Sequence, residues 1–202
     1  LQCWFCGSQA GNSIADVVFG SVNPSGKLPF TFPVRIEDSP AHALGAYTCS
    51  SDVKYEEGIY VGYRWFENRD IKPLFAFGHG LSYTEFEYSD FKASRTVSAE
   101  GVLKASVKVK NVGSREGKEV VQLYVGEHNP LLDRPVKELK AFDKVSLAPG
   151  ETKTVSFEIP ASDLAYFNEE KHEWVLDVAH DFTVYFAAAS DDVRGTVNFR
   201  TK

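Results

Sequence analysis

Catalysis and metal binding need nucleophiles, acids, bases or ligands at workable spacing, and this 202-residue sequence offers few such sets. Cys3-Trp4-Phe5-Cys6 has the C-x-x-C spacing. Ahead of a helix start, such a pair can hold a nucleophilic thiolate of lowered pKa for disulfide exchange. No βαβ pattern surrounds it, so both cysteines read as small buried hydrophobes at the end of a strand. Cys49 makes the cysteine count odd, which is no disulfide framework. A zinc site needs four ligands, and the sequence has no second C-x-x-C and no H-x-x-x-H. No metal and no cofactor is therefore expected.

Two carboxylates flanking one bond can act as acid and base, and two acid pairs invite that reading. Glu56-Glu57 are neighbours, and adjacent side chains on an extended chain point to opposite faces. They read as solvated loop acids. Asp191-Asp192 falls where a hairpin turn is expected, a position Asp tolerates well. His79, between Gly78 and Gly80, has no Ser or Cys with a supporting acid beside it and reads as a junction histidine. His42, His128, His172 and His180 are scattered without ligand spacing. Tyr60, Tyr63, Trp65 and Phe66 are concentrated and read as core between domains. Arg64, flanked by these rings, suits bidentate pairing with a buried acid in the same interface. No catalytic residue is assigned, and no substrate-binding residue can be named.

Which elements would position these groups? Residues 1–82 are dense in Gly, Pro and aromatics. Residues 8–19 predict a short amphipathic helix with Ala10, Ile14, Val17 and Val18 near one face, Ser8 as N-cap and Gly20 as its stop. Asn23-Pro24-Ser25-Gly26 predicts a turn. Leu28–Phe32 alternates, but Pro29 and Pro33 limit it to a short edge strand. Residues 34–54 have no period and predict surface loop. One helix, one weak strand and long loops bury too little apolar surface to offset their ordering entropy. The front piece is therefore expected to belong to something larger.

From residue 84 the pattern becomes repeated short strands. Leu103, Ala105, Val107 and Val109 alternate with Lys104, Ser106, Lys108 and Lys110, as on a half-buried strand. Further strands are predicted at 86–92, 120–125, 137–147, 152–159, near Trp174, at 181–188 and at 193–200. Seven or eight strands between turn signals predict an antiparallel β-sandwich. Phe142, Phe157, Phe182 and Phe186 sit at alternating positions and read as its core. The net charge of −6 argues against a nucleic-acid partner, whose binding relies on clustered Lys and Arg. No apolar run reaches the roughly 20 residues that span a membrane.

Several blocks resemble the C-terminal portion of family 3 glycoside hydrolases. Trp4, Gly7 and Gly11-Asn12-Ser13-Ile14-Ala15-Asp16-Val17-Val18-Phe19-Gly20, followed by Asn23-Pro24-Ser25-Gly26-Lys27-Leu28-Pro29, resemble the end of that family's α/β-sandwich domain. Tyr55-Glu56-Glu57-Gly58-Ile59-Tyr60-Val61-Gly62-Tyr63-Arg64-Trp65-Phe66 and Phe77-Gly78-His79-Gly80-Leu81-Ser82-Tyr83 resemble the segment leading to its last domain. Asn111-Val112-Gly113, Gly117–Val125, Pro135–Leu139 and Leu147–Thr152 resemble its fibronectin type III-like domain. Cys6 stands where the family usually has Pro, and Val178-Ala179-His180 replaces a usual Pro-Gly turn.

The resemblance implies a mostly β chain: residues 1–82 as the end of an α/β-sandwich domain with its linker, and residues 83–202 as a fibronectin type III-like, immunoglobulin-like β-sandwich. It implies a part in a retaining, exo-acting β-glycosidase of β-glucosidase type. The substrate would be a β-linked oligosaccharide or glycoside, and the partners the barrel and α/β domain of the same protein. A secreted or periplasmic location would go with it. Retaining hydrolysis uses two carboxylates about 5 Å apart, and neither family motif that carries them matches a position here. The alternative is a carbohydrate- or partner-binding β-sandwich without catalysis.

Overall fold

The computed structural model describes residues 1–48 and 51–202; Cys49 lies outside the described residues. Two packed sheets form from residue 86 onward. One carries β1 (Phe86–Ala93), β3 (Val102–Asn111) and β6 (Thr152–Pro160) in the order β1-β3-β6. The other has the order β2-β10-β9-β4-β5, from β2 (Thr96–Val97), β4 (Gly117–Glu127), β5 (Glu138–Leu147), β9 (Asp181–Ala189) and β10 (Asp192–Thr201). A separate hairpin pairs β7 (Tyr166–Asn168) with β8 (Glu173–Val175). Every predicted strand after residue 84 is present. The short β2 and β7 add to the predicted set, and β2 pairs with β10 in parallel, the exception to antiparallel pairing.

The period-2 pattern explains the core. Leu103, Val107 and Val109 of β3 are fully buried, while Lys104, Lys108 and Lys110 face water. Val155, Phe157 and Ile159 extend this layer from β6. Val121, Leu123 and Val125 of β4, Phe182, Val184 and Phe186 of β9 and Phe199 of β10 meet it from the other sheet. Each such side chain stabilises the fold by about 1.5–3 kcal/mol. Phe142 departs from the prediction. It stands opposite Gln122 on the outer face of the five-stranded sheet and is 68% exposed. β5 is an edge strand, and its middle, Phe142 to Lys144, has nothing over it.

β4 and β9 are buried on both faces, which a one-sided sandwich does not require. Their outer face is covered by the front segment. There α1 (Ala10–Val18), α2 (Pro40–Ala43) and α3 (Tyr63–Asn68) are separated by loops. α1 starts with Gln9 at its N-cap rather than Ser8, and has no side-chain cap. Gly20 follows its end with a positive φ of 80°, donating to the Val17 carbonyl. The predicted edge strand at 28–32 does not form. Pro29 and Pro33 lack N–H groups, and what remains is the bridge of Phe32 to Phe75 and the backbone bonds of Leu28 with Gly78 and His79. The predicted loop 34–54 contains the α2 turn. No helix among the described residues is long and apolar enough to cross a membrane.

Candidate functional site

A cluster of charged and aromatic groups lies where α3 meets the five-stranded sheet. Gly62, with φ of 60°, turns the chain into α3, whose short length sends Trp65 and Phe66 inward at 3% and 5% exposure. The Trp65 indole N–H donates to the Asp38 carbonyl at 3.0 Å. Tyr63 stacks on Phe77 with centroids 5.1 Å apart and meets Tyr124 edge-on at 5.6 Å. Tyr60 donates to Asp133 at 2.5 Å, and burial with that carboxylate beside it pushes its pKa up to about 12. The four aromatics are thus packing and hydrogen-bonding residues of this seam, as expected.

Ion pairs cross the same seam. Arg64 Nη2 lies 3.2 Å from Glu138 Oε1, so it has an acid partner in the seam, but through one contact to a half-buried carboxylate rather than a bidentate pair with a buried one. Glu138 also meets Arg134 at 3.0 Å and Lys140 at 3.3 Å. Burial pulls its pKa upward, but Lys140, Arg134 and Arg64 together hold it below the ordinary value. Lys137 Nζ sits 2.7 Å from Glu67 Oε1. Glu67 is the group sequence reasoning missed. Burial raises its pKa against the pull of Lys137, and Asp191 adds to the rise. It lines a groove of about 500 Å³ with Thr31, Tyr63, Asp70 and Asp191. A raised carboxyl in a cleft is a common sign of acid-base chemistry. Here the Lys137 ammonium lies beside it in an ion pair that braces α3 to the sandwich, although neither Glu67 oxygen has an aligned hydrogen-bond donor.

The other sequence candidates do not converge. Asp191 lines this groove, whereas Asp192 pairs with Arg194 at 2.6 Å and lines a second one with Lys27 and Glu119. Glu56 and Glu57 lie on a turn near the surface. His79 packs its ring 5.2 Å from Phe75, and its carbonyl accepts from the Leu28 N–H. Cys3 and Cys6 are free thiols, half-buried and exposed respectively, and no strand contains them. They are therefore not the buried strand-end hydrophobes expected. Cys6 Sγ donates to the Cys3 carbonyl at 2.7 Å.

His180 departs from its scattered reading. The structure brings it within 4.8 Å of Glu127 and Asp177, ligand atom to ligand atom. Glu127 and His180 are 53 positions apart in the sequence, at the ends of neighbouring strands, so no local spacing could announce them. Burial pushes the Glu127 carboxyl up against the pull of Arg134, and Asp177 adds to the rise.

Comparison with known proteins places these features in a family context. Residues 1–83 match the glycosyl hydrolase family 3 C-terminal domain, and residues 119–190 match the fibronectin type III-like domain. The chain is 47% identical, over 98% of its length, to β-glucosidase BoGH3A of Bacteroides ovatus, covering 27% of that protein. It is 45% identical to thermostable β-glucosidase B of Acetivibrio thermocellus over 96% of the chain and 25% of that protein. The structure of β-glucosidase 3B from Thermotoga neapolitana in complex with α-D-glucose superposes with a TM-score of 0.89. Identity there is 40%, over 98% of this chain and 27% of that one. A Bifidobacterium adolescentis GH3 β-glucosidase superposes at 0.91 with 32% identity, covering 98% and 29%. The chain spans about a quarter of the length of these relatives.

Proposed function

This chain belongs to glycosyl hydrolase family 3 as its C-terminal portion, and from that premise we propose that it braces the catalytic domains of a retaining, exo-acting β-glucosidase. The substrates in this reading are terminal β-linked sugars of oligosaccharides and glycosides. The nucleophile and the acid/base belong to the barrel and α/β domain of the same protein, and no residue of this chain is catalytic. Residues 1–82 close the α/β-sandwich domain and link it to residues 83–202, the fibronectin type III-like unit. No nucleic-acid partner belongs to this reading, and a secreted or periplasmic location suits such substrates.

One observation carries the proposal. Helix α1 is amphipathic yet has no buried residue. Ile14, Val18 and Phe19 stand 36%, 54% and 84% exposed, and Trp4, Phe5, Tyr47 and Tyr55 are likewise bare. Apolar surface of this kind marks an interface, here one prepared for the remainder of the α/β domain. Tyr63, through Tyr124 and the Leu139 amide, and the Phe77 carbonyl, through the Ser190 amide, hold the same segment to the sandwich. The arrangement transmits a fixed orientation from sandwich to α/β domain.

The test is an aryl β-glucoside assay of the chain alone, of its N-terminal complement alone, and of the two mixed. The chain alone is expected to be inactive and the mixture active. Turnover by the chain alone would place catalytic groups within it, and an inactive mixture would remove the β-glucosidase reading.

A second reading rests on the β7-β8 hairpin, where Trp174 is 71% exposed and meets Phe167 at 5.7 Å. An exposed indole face suits stacking on a sugar ring. Retention of residues 84–202 on β-glucan or xylan, abolished by Trp174→Ala, would favour a binding module. No retention would remove it.

A further inference from the structure

At one end of the sandwich β4 finishes in Glu127, and the turn before β9 presents Asp177 and His180. All three are removed from water to different degrees. The Glu127 side chain is 1% exposed, Asp177 6% and the His180 side chain 24%. Thr201 of β10 pins the turn. Its hydroxyl donates to the Asp177 carbonyl at 2.6 Å and accepts from the His180 N–H at 3.1 Å. Arg200 adds a bond to the Ala179 carbonyl at 2.6 Å. The carboxylate and the imidazole are thereby held in one place by backbone contacts.

Their acceptor atoms are not satisfied. Asp177 Oδ1 takes the Tyr166 hydroxyl at 3.2 Å, but Oδ2 is buried with no hydrogen-bond partner. Glu127 Oε2 takes Arg134 Nη1 at 2.8 Å. Glu127 Oε1 is also without a hydrogen-bond partner, although His180 Nδ1 lies 2.8 Å away. The two atoms are close but not aligned as donor and acceptor. Buried acceptors left in this state are costly unless a proton shared between the two carboxyls or a cation meets them.

We propose that Glu127, Asp177 and His180 supply three ligands of a site for a divalent first-row cation, with zinc preferred and water as the fourth ligand. One imidazole and two carboxylates make an N/O donor set that suits zinc, whereas calcium and magnesium prefer oxygen alone. Ligand atoms each about 2.1 Å from an ion lie roughly 3 Å or more apart. The cluster, 2.8 Å along one edge and within 4.8 Å throughout, brackets that spacing, so side-chain shifts of a few tenths of an ångström would bring the three groups around a common centre. Such an ion would tie the end of β4 to the turn that enters β9. Water would complete the coordination on the half-exposed His180 side.

The experiment uses the full chain with Cys3, Cys6 and Cys49 replaced by Ser, because thiols would compete for zinc. After stripping with a chelator, binding of ZnCl2 is followed by calorimetry and by thermal unfolding. One equivalent is expected to bind and to raise Tm. Asp177→Asn, which keeps an oxygen for Tyr166, and His180→Gln should each weaken binding by at least about ten-fold. Cobalt(II) bound to the thiol-free chain without further substitution should show visible absorption bands of a nitrogen- and oxygen-liganded ion, which requires no ligand variant to fold. Absence of saturable zinc binding would overturn the site. Equal binding by both variants, or CaCl2 binding more tightly than ZnCl2, would overturn it as well.

Discussion

The ring of Tyr63 meets Tyr124 edge-on with centroids 5.6 Å apart, while its hydroxyl accepts the backbone N–H of Leu139 at 2.9 Å. One side chain thus joins α3 to both β4 and β5. Tyr63→Ala removes two ring contacts and strands the Leu139 amide, and should cost about 3–4 kcal/mol. Tyr63→Phe keeps the rings and should cost about 1 kcal/mol. Urea unfolding of the full chain measures both. Equal losses would mean that the hydroxyl, not the ring, carries the contact.

Gly78 is the tightest point of the same seam. Its φ is +80°, and a Cβ there would stand 2.2 Å from Gln122 Oε1. The Gln122 amide donates to the Gly78 carbonyl at 3.2 Å and to the Ala188 carbonyl at 2.7 Å. Gly78→Ala should therefore lose more than about 2 kcal/mol, from left-handed strain and from displacement of Gln122. In the Gly78→Ala, Gln122→Ala pair the steric part disappears and the strain stays. The double variant should thus lose less than the sum of the singles. Strict additivity would separate the two residues.

Glu138 sets an acid limit on stability. Its folded pKa is held below the unfolded value of about 4.3, so the unfolded chain takes up the proton first as pH falls. Its stabilisation is complete above that value and is lost as pH drops through the folded pKa. Glu138→Gln removes the acid partner of Arg64 and Lys140 and one of the two that Arg134 has, the other being Glu127, and should cost about 3 kcal/mol at pH 7. The Tm difference between wild type and variant should narrow from pH 5 towards pH 3. A constant difference would show that the carboxylate charge is not what holds the cluster.

The sandwich was legible because its signal is local. Leu103 to Lys110 declares one wet and one dry face by alternation alone. The front segment was less legible because its partners are remote. Ile59 to Phe66 is apolar and aromatic with an ambiguous period, and only the outer face of β4 and β9 decides which side chains go inward. Arg64 could be given an acid partner from its type and surroundings. Glu67 could not, because Lys137 lies 70 positions away. The pairing of His180 with Glu127 depends on β4 and β9 being neighbours in the sheet. Two prolines outweighed the alternation of Leu28–Phe32, a chemical veto visible in the sequence but weighted too lightly.

Phe142 and Phe157 have the same side chain at alternating strand positions but opposite surroundings. Phe157 is 6% exposed in the core and Phe142 is 68% exposed on an edge strand. Phe157→Ala should cost about 3–5 kcal/mol. Phe142→Thr, which keeps a strand-favouring residue, should stay within about 0.5 kcal/mol. A large loss at Phe142 in the full chain would mean that its ring is covered.

Ala179 is held at φ of +61°, a conformation that disfavours a Cβ, in the turn between Asp177 and His180. Its N–H donates to the Thr201 carbonyl at 3.1 Å and its carbonyl accepts from Arg200, so the turn is fixed by β10 and cannot relax to relieve the strain. A left-handed alanine costs about 1–2 kcal/mol, and glycine at the same place costs more in unfolded-chain entropy by somewhat less than that. Ala179→Gly should therefore stabilise the chain by about 0.5–1 kcal/mol, read as a raised urea midpoint with an unchanged slope. Ala179→Val, whose branched side chain tolerates this region worst, should lower the midpoint. If glycine lowered it too, the turn would be supported by the alanine methyl rather than strained by it.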